Sequence, residues 1–201
     1  EQLMAFVVIE VLLAALAYGI ATRAVWQHHA QGTPYLPVTL WAAAGLALQL
    51  VSLAHLTLSA GAMIIGLGTA LSLFAWQAAL LLWLFSLKES VGALGLVMYP
   101  VAAICAVAGL LVPDPHGARE ALDWPIQAHI LLSILAYGLL TLGAVQAVVL
   151  SLQHGQLRRR PPSGVFSTLP PLQTMETLLF RLIGGGFFLL SLAISTGALF
   201  I

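Results

Sequence analysis

Six stretches of this chain stay apolar for about 20 residues or more, the length that carries a helix across a bilayer. They are residues 3–22, 38–59, 64–87, 91–112, 126–152 and 175–201. The sequence therefore predicts an all-α fold, a polytopic membrane helix bundle with six transmembrane helices in one domain covering residues 1–201. Composition agrees. The chain is 61% hydrophobic and only 7% charged, whereas a soluble domain carries roughly 25% charged residues. The formal net charge is zero, so nothing draws the chain to nucleic acid; the lipid bilayer is its expected surrounding. A single cysteine, Cys105, excludes an internal disulfide and any multi-cysteine zinc or iron–sulfur site. Its apolar run marks it as a small core residue. The chain opens on Glu1 and is still apolar at Ile201. Both ends look trimmed, and more protein is expected beyond the C-terminal end. The first span is about 20 residues long, which is too long for the core of a cleavable signal peptide.

Orientation follows from the basic residues. Arg23, Lys88, Arg158, Arg159 and Arg160 lie in or beside the first, third and fifth connections, and Arg181 lies near the same end of the last span. The opposite side carries Arg119 among Asp114, Glu120 and Asp123. Basic loops stay in the cytoplasm. Loops 23–37, 88–90 and 153–174 are therefore expected inside, with the N-terminus, the second loop and the fourth loop outside. Prolines punctuate the span ends, except Pro100, which predicts a kink in the fourth span.

Two histidines stand inside spans that are nearly free of ionisable groups. They are His55 in LQLVSLAHLTLS and His129 in WPIQAHILLSILAYG. An ionisable residue within a span is costly and is by default a functional-site hypothesis. His55 precedes Ser59 by four residues, and His129 follows Pro125 by four. At 1.5 Å per residue each is roughly 6 Å inside its helix end, on the outer side. The two imidazoles are thus expected at one depth. Residues three and four apart share a helix face. Gln49, Ser52, His55 and Ser59 form one polar stripe, and His129, Ser133, Tyr137 and Thr141 form another. The third span offers Thr69, Ser72 and Trp76 toward a common cavity. Small polar residues ordinarily join membrane helices by hydrogen bonds, and that reading outweighs a ligand role for the serines and threonines. For the histidine pair the ligand role outweighs it, because neutral imidazole is a common ligand of iron.

The remaining polar residues carry less. His28, His29 and His154 are expected on solvated loops, and His116 lies in the outer loop PDPHGARE. Glu10, about seven residues into the first span, is expected to snorkel, to be neutral or to pair with Arg119. Glu176 and Arg181, five apart, are poorly placed to pair with each other. Trp26, Trp41, Trp83 and Trp124 lie near span ends, as an aromatic belt requires. Gly184, Gly185 and Gly186 allow close helix approach. No nucleophile–base set, phosphate-binding loop, paired catalytic carboxylates or metalloprotease helix is present, so an enzyme with its own active site is not expected.

The stretch WPIQAHILLSILAYGLLTLGAVQAVVLSLQ, the basic loop after it and LPPLQTMETLLFRLIGGGFFLLSLAISTGALF resemble the cytochrome c assembly protein family. This is the CcsA/CcmC/HemX group of haem-handling membrane proteins, and the likeness is greatest to the bacterial inner-membrane YpjD-type branch. It is specific over residues 124–201, looser over 38–90, and rests on hydropathy alone in the first span. The resemblance implies haem b, bound or presented near the outer face of the bacterial inner (plasma) membrane. It implies other cytochrome c biogenesis membrane proteins as partners and an accessory role in cytochrome c maturation or haem metabolism. It places His129 and His55 at the family's histidine positions. The tryptophan-rich motif of the cytochrome-assembly members is absent from these residues, and Trp124 beside Pro125 does not replace it. On this reading His55 and His129 are axial ligands of the haem iron, with Ser52, Trp76, Ser133 and Tyr137 lining the pocket. The alternatives are a small-molecule or proton-coupled transporter or channel subunit, and a structural or regulatory membrane subunit without ligand.

Overall fold

The computed structural model describes residues 2–58, 66–88, 92–112, 123–157 and 171–200. Six helices account for nearly all of them: α1 Gln2–Gln31, α2 Leu36–Leu58, α3 Leu67–Ser86, α4 Gly95–Leu111, α5 Trp124–Leu157 and α6 Leu172–Phe200. All but α4 are long and apolar enough to cross a membrane, so the chain is a multi-pass membrane protein. At 17 residues, α4 is near the short limit for a span; a 3-10 turn, Gly92–Leu94, leads into it. Pro100 sits inside α4, and the backbone stays helical through it.

Helix α1 packs on α2 and α4, α2 packs on α3, and α3 packs on α4, which closes a ring of four. Helices α5 and α6 form an antiparallel hairpin, and α5 joins it to the ring along α3. Polar side chains lock the ring. The Tyr18 hydroxyl donates to Gln49 Oε1 at 2.8 Å, and Gln49 Nε2 donates to the Ser72 carbonyl and hydroxyl at 3.2 and 3.1 Å. Gln49 is wholly buried, so each of its bonds replaces one that lipid has no means of supplying. Trp76 Nε1 donates to the Leu46 carbonyl at 2.8 Å and Trp83 Nε1 to the Thr39 carbonyl at 3.0 Å. Trp83, expected in the aromatic belt, thus serves as an α2–α3 tie. Backbones close in where side chains vanish. A Cβ on Gly45 would fall 2.9 Å from the Tyr18 ring, and one on Gly68 would fall 2.8 Å from the Gly109 carbonyl oxygen.

Two apolar clusters fill the ring. The larger gathers Tyr18, Val25, Val38, Leu82 and Tyr99 and continues into the hairpin through Leu142, Met175 and Leu182. The smaller, Val7, Val11 and Ala106 with Leu56 and Leu110 against them, closes the end where α1 begins and α2 finishes.

Helices α1 and α5 outrun their predicted spans, whereas α3 and α4 are shorter than theirs. α1 continues nine residues beyond Thr22 and stops at Gly32, whose φ of 68° places it in the left-handed region. Its N–H bonds back to the His28 carbonyl at 3.0 Å, the αL ending that glycine favours. His28 and His29, expected on a loop, therefore belong to this last helical turn. The His28 ring donates through Nδ1 to the Thr33 carbonyl at 2.6 Å and meets Tyr35 edge-on, which fixes the corner into α2. With 34 residues, α5 is about 51 Å long, well beyond a hydrocarbon core of about 30 Å. The expectations for Ser59, His116, Arg119 and Arg158–Arg160 fall outside the described residues.

Candidate functional site

Hydrogen bonds between helices act as depth markers. Gln49 of α2 is level with Ser72 of α3, and Gln77 of α3 donates to the Leu135 carbonyl of α5 at 2.9 Å. His55 lies six residues beyond Gln49, and His129 lies six residues before Leu135. Both directions lead to the same end of the bundle, each by about 9 Å at 1.5 Å per residue. Both histidines thus lie toward the same end of the bundle.

Each ring is anchored by a different neighbour. His55 Nδ1 lies 3.0 Å from Glu10 Oε2 on α1. This is the only carboxylate–imidazole contact among the described residues, formed across α1 and α2. The Glu10 side chain is 19% exposed and that of His55 is 42% exposed. The pair borders the smaller apolar cluster, since Val11 follows Glu10 and Leu56 follows His55. His129 Nδ1 lies 3.3 Å from Thr196 Oγ1 on α6. That hydroxyl already donates to the Ala193 carbonyl at 2.9 Å, so it accepts the imidazole N–H. A Cβ on Gly197 would fall 3.0 Å from His129 Cε1, so this glycine makes room for the ring. Both rings are thus held through Nδ1, and neither Nε2 has a hydrogen-bond partner among the described residues. No hydrogen bond joins the two histidines, and α3 is the helix that packs against both of theirs.

The other residues expected near the pair fare differently. Ser52 is buried and donates to the Gln49 carbonyl at 2.8 Å. Trp76 is held by Leu46, and Thr69 closes the first turn of α3 through Gly66. These polar atoms are committed inside the ring. Ser133 is half-buried, whereas Tyr137 is 58% exposed and Thr141 is also exposed, so the α5 stripe turns outward along its length. An apolar groove of about 240 Å³ lies between α4 and α5, lined by Leu94, Met98, Leu142 and Gln146. It sits toward the opposite end from the histidines, beside Met175, and does not serve them. Glu176 and Arg181 are exposed and form no ion pair with each other.

Sequence reasoning missed the Glu10–His55 contact. The signal was present in part, because Glu10 and His55 are the two ionisable residues on the same side of adjacent spans. What was lacking was the register of α1 against α2.

A bundle of membrane-crossing helices with two anchored imidazoles toward one end defines a polytopic membrane protein. The family model of the cytochrome C assembly protein matches residues 45–201, and the chain belongs to that family. Both histidines lie within the matched stretch; Glu10 precedes it. Comparison with curated proteins and with solved structures gave no match.

Proposed function

We propose that this protein binds a b-type haem near the outer face of the bacterial inner membrane and carries or presents it in cytochrome c assembly. His55 and His129 are the residues that would hold its iron. The observation that carries the reading is the shared anchoring of the two rings: each is held at Nδ1, by Glu10 or by Thr196, with no hydrogen bond to Nε2 among the described residues. Iron-ligating histidines are held in this way, the second nitrogen fixing tautomer and orientation. The donor set fits a haem rather than a bare metal ion. Two imidazoles suffice for haem, and no group of three or more potential metal ligands occurs among the described residues. The iron bound by two imidazoles has no open position, which suits carriage, presentation or electron transfer.

The protein's own part is to orient. Glu10 and Thr196 fix the rings, Gly197 gives His129 space, and the ring of α1–α4 holds His55 at a set depth. On this reading Ser133 and Tyr137 border the macrocycle on the His129 side, while Ser52 and Trp76 support it from within the ring. The basic loops face the cytoplasm, the affinity is to the YpjD-type branch, and other cytochrome c biogenesis membrane proteins are the partners.

A reduced-minus-oxidised visible spectrum of the protein in mild detergent, with a pyridine haemochrome assay, tests this. The expected result is a low-spin b-type spectrum at about one haem per chain. His129→Ala is expected to lose most of the haem and His55→Ala much of it. Wild-type haem content in both variants, or no uptake of added hemin by the wild type, overturns the reading. The Glu10–His55 pair also has the chemistry of a proton relay, which favours a proton-coupled transporter as the second reading. Proton-coupled flux in liposomes from haem-free protein would select it.

A further inference from the structure

We infer that the outward face of α6 is a dimer seam: two copies of this chain pair in the membrane through parallel α6 helices. The inference holds whatever the histidines bind. Helix α6 turns Met175, Leu182 and Gly186 toward α5, beside Gln146, Gly143 and Leu140. The opposite face carries a seven-residue repeat. Thr177, Gly184, Ser191 and Ala198 recur at one position, all small and all exposed. Phe180, Phe187 and Ile194 recur three residues on, all large and exposed. These are the a and d positions of a heptad, whose period of about 3.5 residues lets two helices supercoil and stay in contact. Small residues in one layer let the backbones approach, and large ones in the next fill the space beside them. The Thr177 and Ser191 hydroxyls already donate to the Gln173 and Phe187 carbonyls of their own helix. The small layer therefore meets a neighbour with no unspent hydroxyl proton at these two residues.

The charges select the occupant. In this frame Glu176 takes a g position and Arg181 the e position of the next heptad. Within one helix such residues do not face each other, and these two form no ion pair. Between parallel helices, g of one helix meets the following e of the other. A second copy thus supplies Arg181 to Glu176 and Glu176 to Arg181, two bridges related by a two-fold axis. Copies inserted in one membrane share one orientation. A two-fold axis along the membrane normal therefore makes their α6 helices parallel, as this pairing requires. An unpaired arginine inside a span is costly, and Arg181 has no ion-pair partner among the described residues. The seam is thus complementary to itself in shape and in charge.

The experiment uses the full chain in phospholipid vesicles. In a Cys105→Ala background, single cysteines are placed along α6 and oxidised. A disulfide closes only where Cα atoms come within about 7 Å. Gly184→Cys, Ser191→Cys and Ala198→Cys should link two copies, whereas Leu192→Cys and Leu199→Cys, beside the seam, should not. Energy transfer between labelled copies, followed as the protein is diluted in lipid, reads the strength of the dimer. Glu176→Arg and Arg181→Glu should each weaken it at least about tenfold, and the double reversal should recover most of the loss. Gly184→Leu should weaken it at least about fivefold, although a Cβ there meets nothing within 4 Å in the single chain. Gly184→Ala should not, since alanine already serves this layer at Ala198. Three outcomes overturn the inference: a monomer at every dilution, links through Leu192→Cys as strong as through Ser191→Cys, or a dimer with no link along α6. If the charge reversals fail to insert, the cysteine pattern decides alone.

Discussion

The four-helix ring and the α5–α6 hairpin are built from equally apolar helices but are held differently. In the ring, three helices are tied through one buried side chain, Gln49, and two tryptophans reach across to carbonyls of α2. In the hairpin, the ties are longer. Gln146 Nε2 meets the Met175 carbonyl at 3.4 Å and its sulfur at 3.2 Å, and His129 meets Thr196 at 3.3 Å. Lipid is as apolar as leucine, so burial alone gives membrane helices little reason to associate; close packing and interhelical hydrogen bonds decide. The ring has both in quantity. His55 therefore stands on a frame cross-tied by several side chains, and His129 on an arm with fewer such ties.

The largest effect expected from this difference is at Gly68. An alanine there puts its Cβ 2.8 Å from the Gly109 carbonyl oxygen and 3.1 Å from that of Val112. Backbone atoms have no rotamer to escape into, so α3 and α4 must separate. Overpacking of this kind costs about 1–3 kcal/mol. Gly68→Ala should lower the thermal midpoint of the protein in detergent clearly. An unchanged midpoint would mean that the ring yields as readily as the hairpin.

Next in size is the loss of the glutamines. Gln49→Leu leaves the Tyr18 hydroxyl without its buried acceptor and removes the bond to Ser72; a cost of about 1–2 kcal/mol follows from stranding a buried polar group. Gln77→Leu removes one bond, to the Leu135 carbonyl between ring and hairpin, and membrane hydrogen bonds average about 0.6 kcal/mol. Hydrogen exchange separates the two. Gln49→Leu should speed exchange across α1–α3, and Gln77→Leu should speed it in α5 alone. Equal spread of both effects would dissolve the distinction between frame and arm.

How much of this was legible beforehand depends on what each feature needs. Five crossing helices follow from length and hydropathy, because the bilayer allows few other solutions. The end of α1 does not. Hydropathy sees the hydrocarbon segment and stops near Thr22, whereas the helix obeys its own stop signal, Gly32 followed by Pro34. That His55 and His129 lie toward one end of the bundle was readable from their distance to span ends. The Glu10–His55 contact joins residues 45 positions apart, and no local pattern encodes that pairing. Trp76 illustrates the reverse case. Its depth suggested a cavity, but an indole N–H in lipid needs an acceptor, and the Leu46 carbonyl supplies one.

The smallest effect is expected in the run of three glycines in α6. They read alike in the sequence, yet only one of them carries a close approach. A Cβ on Gly186 would meet Leu140 Cγ at 2.8 Å, one on Gly185 would meet Leu139 at 3.7 Å, and one on Gly184 would meet nothing within 4 Å. Gly184 lies on the outward face of the hairpin, near the exposed Phe180, Phe187 and Phe188. Gly184→Ala should therefore leave stability within about 0.5 kcal/mol of wild type, with any change favouring the helix, which alanine supports better than glycine. The measurement is the same thermal midpoint used for Gly68→Ala, so the two substitutions bracket the scale. A clear loss at Gly184 would mean that the outer face of α6 is packed against another helix in the membrane. The hairpin would then be held from its far side as well as through its tie to the ring.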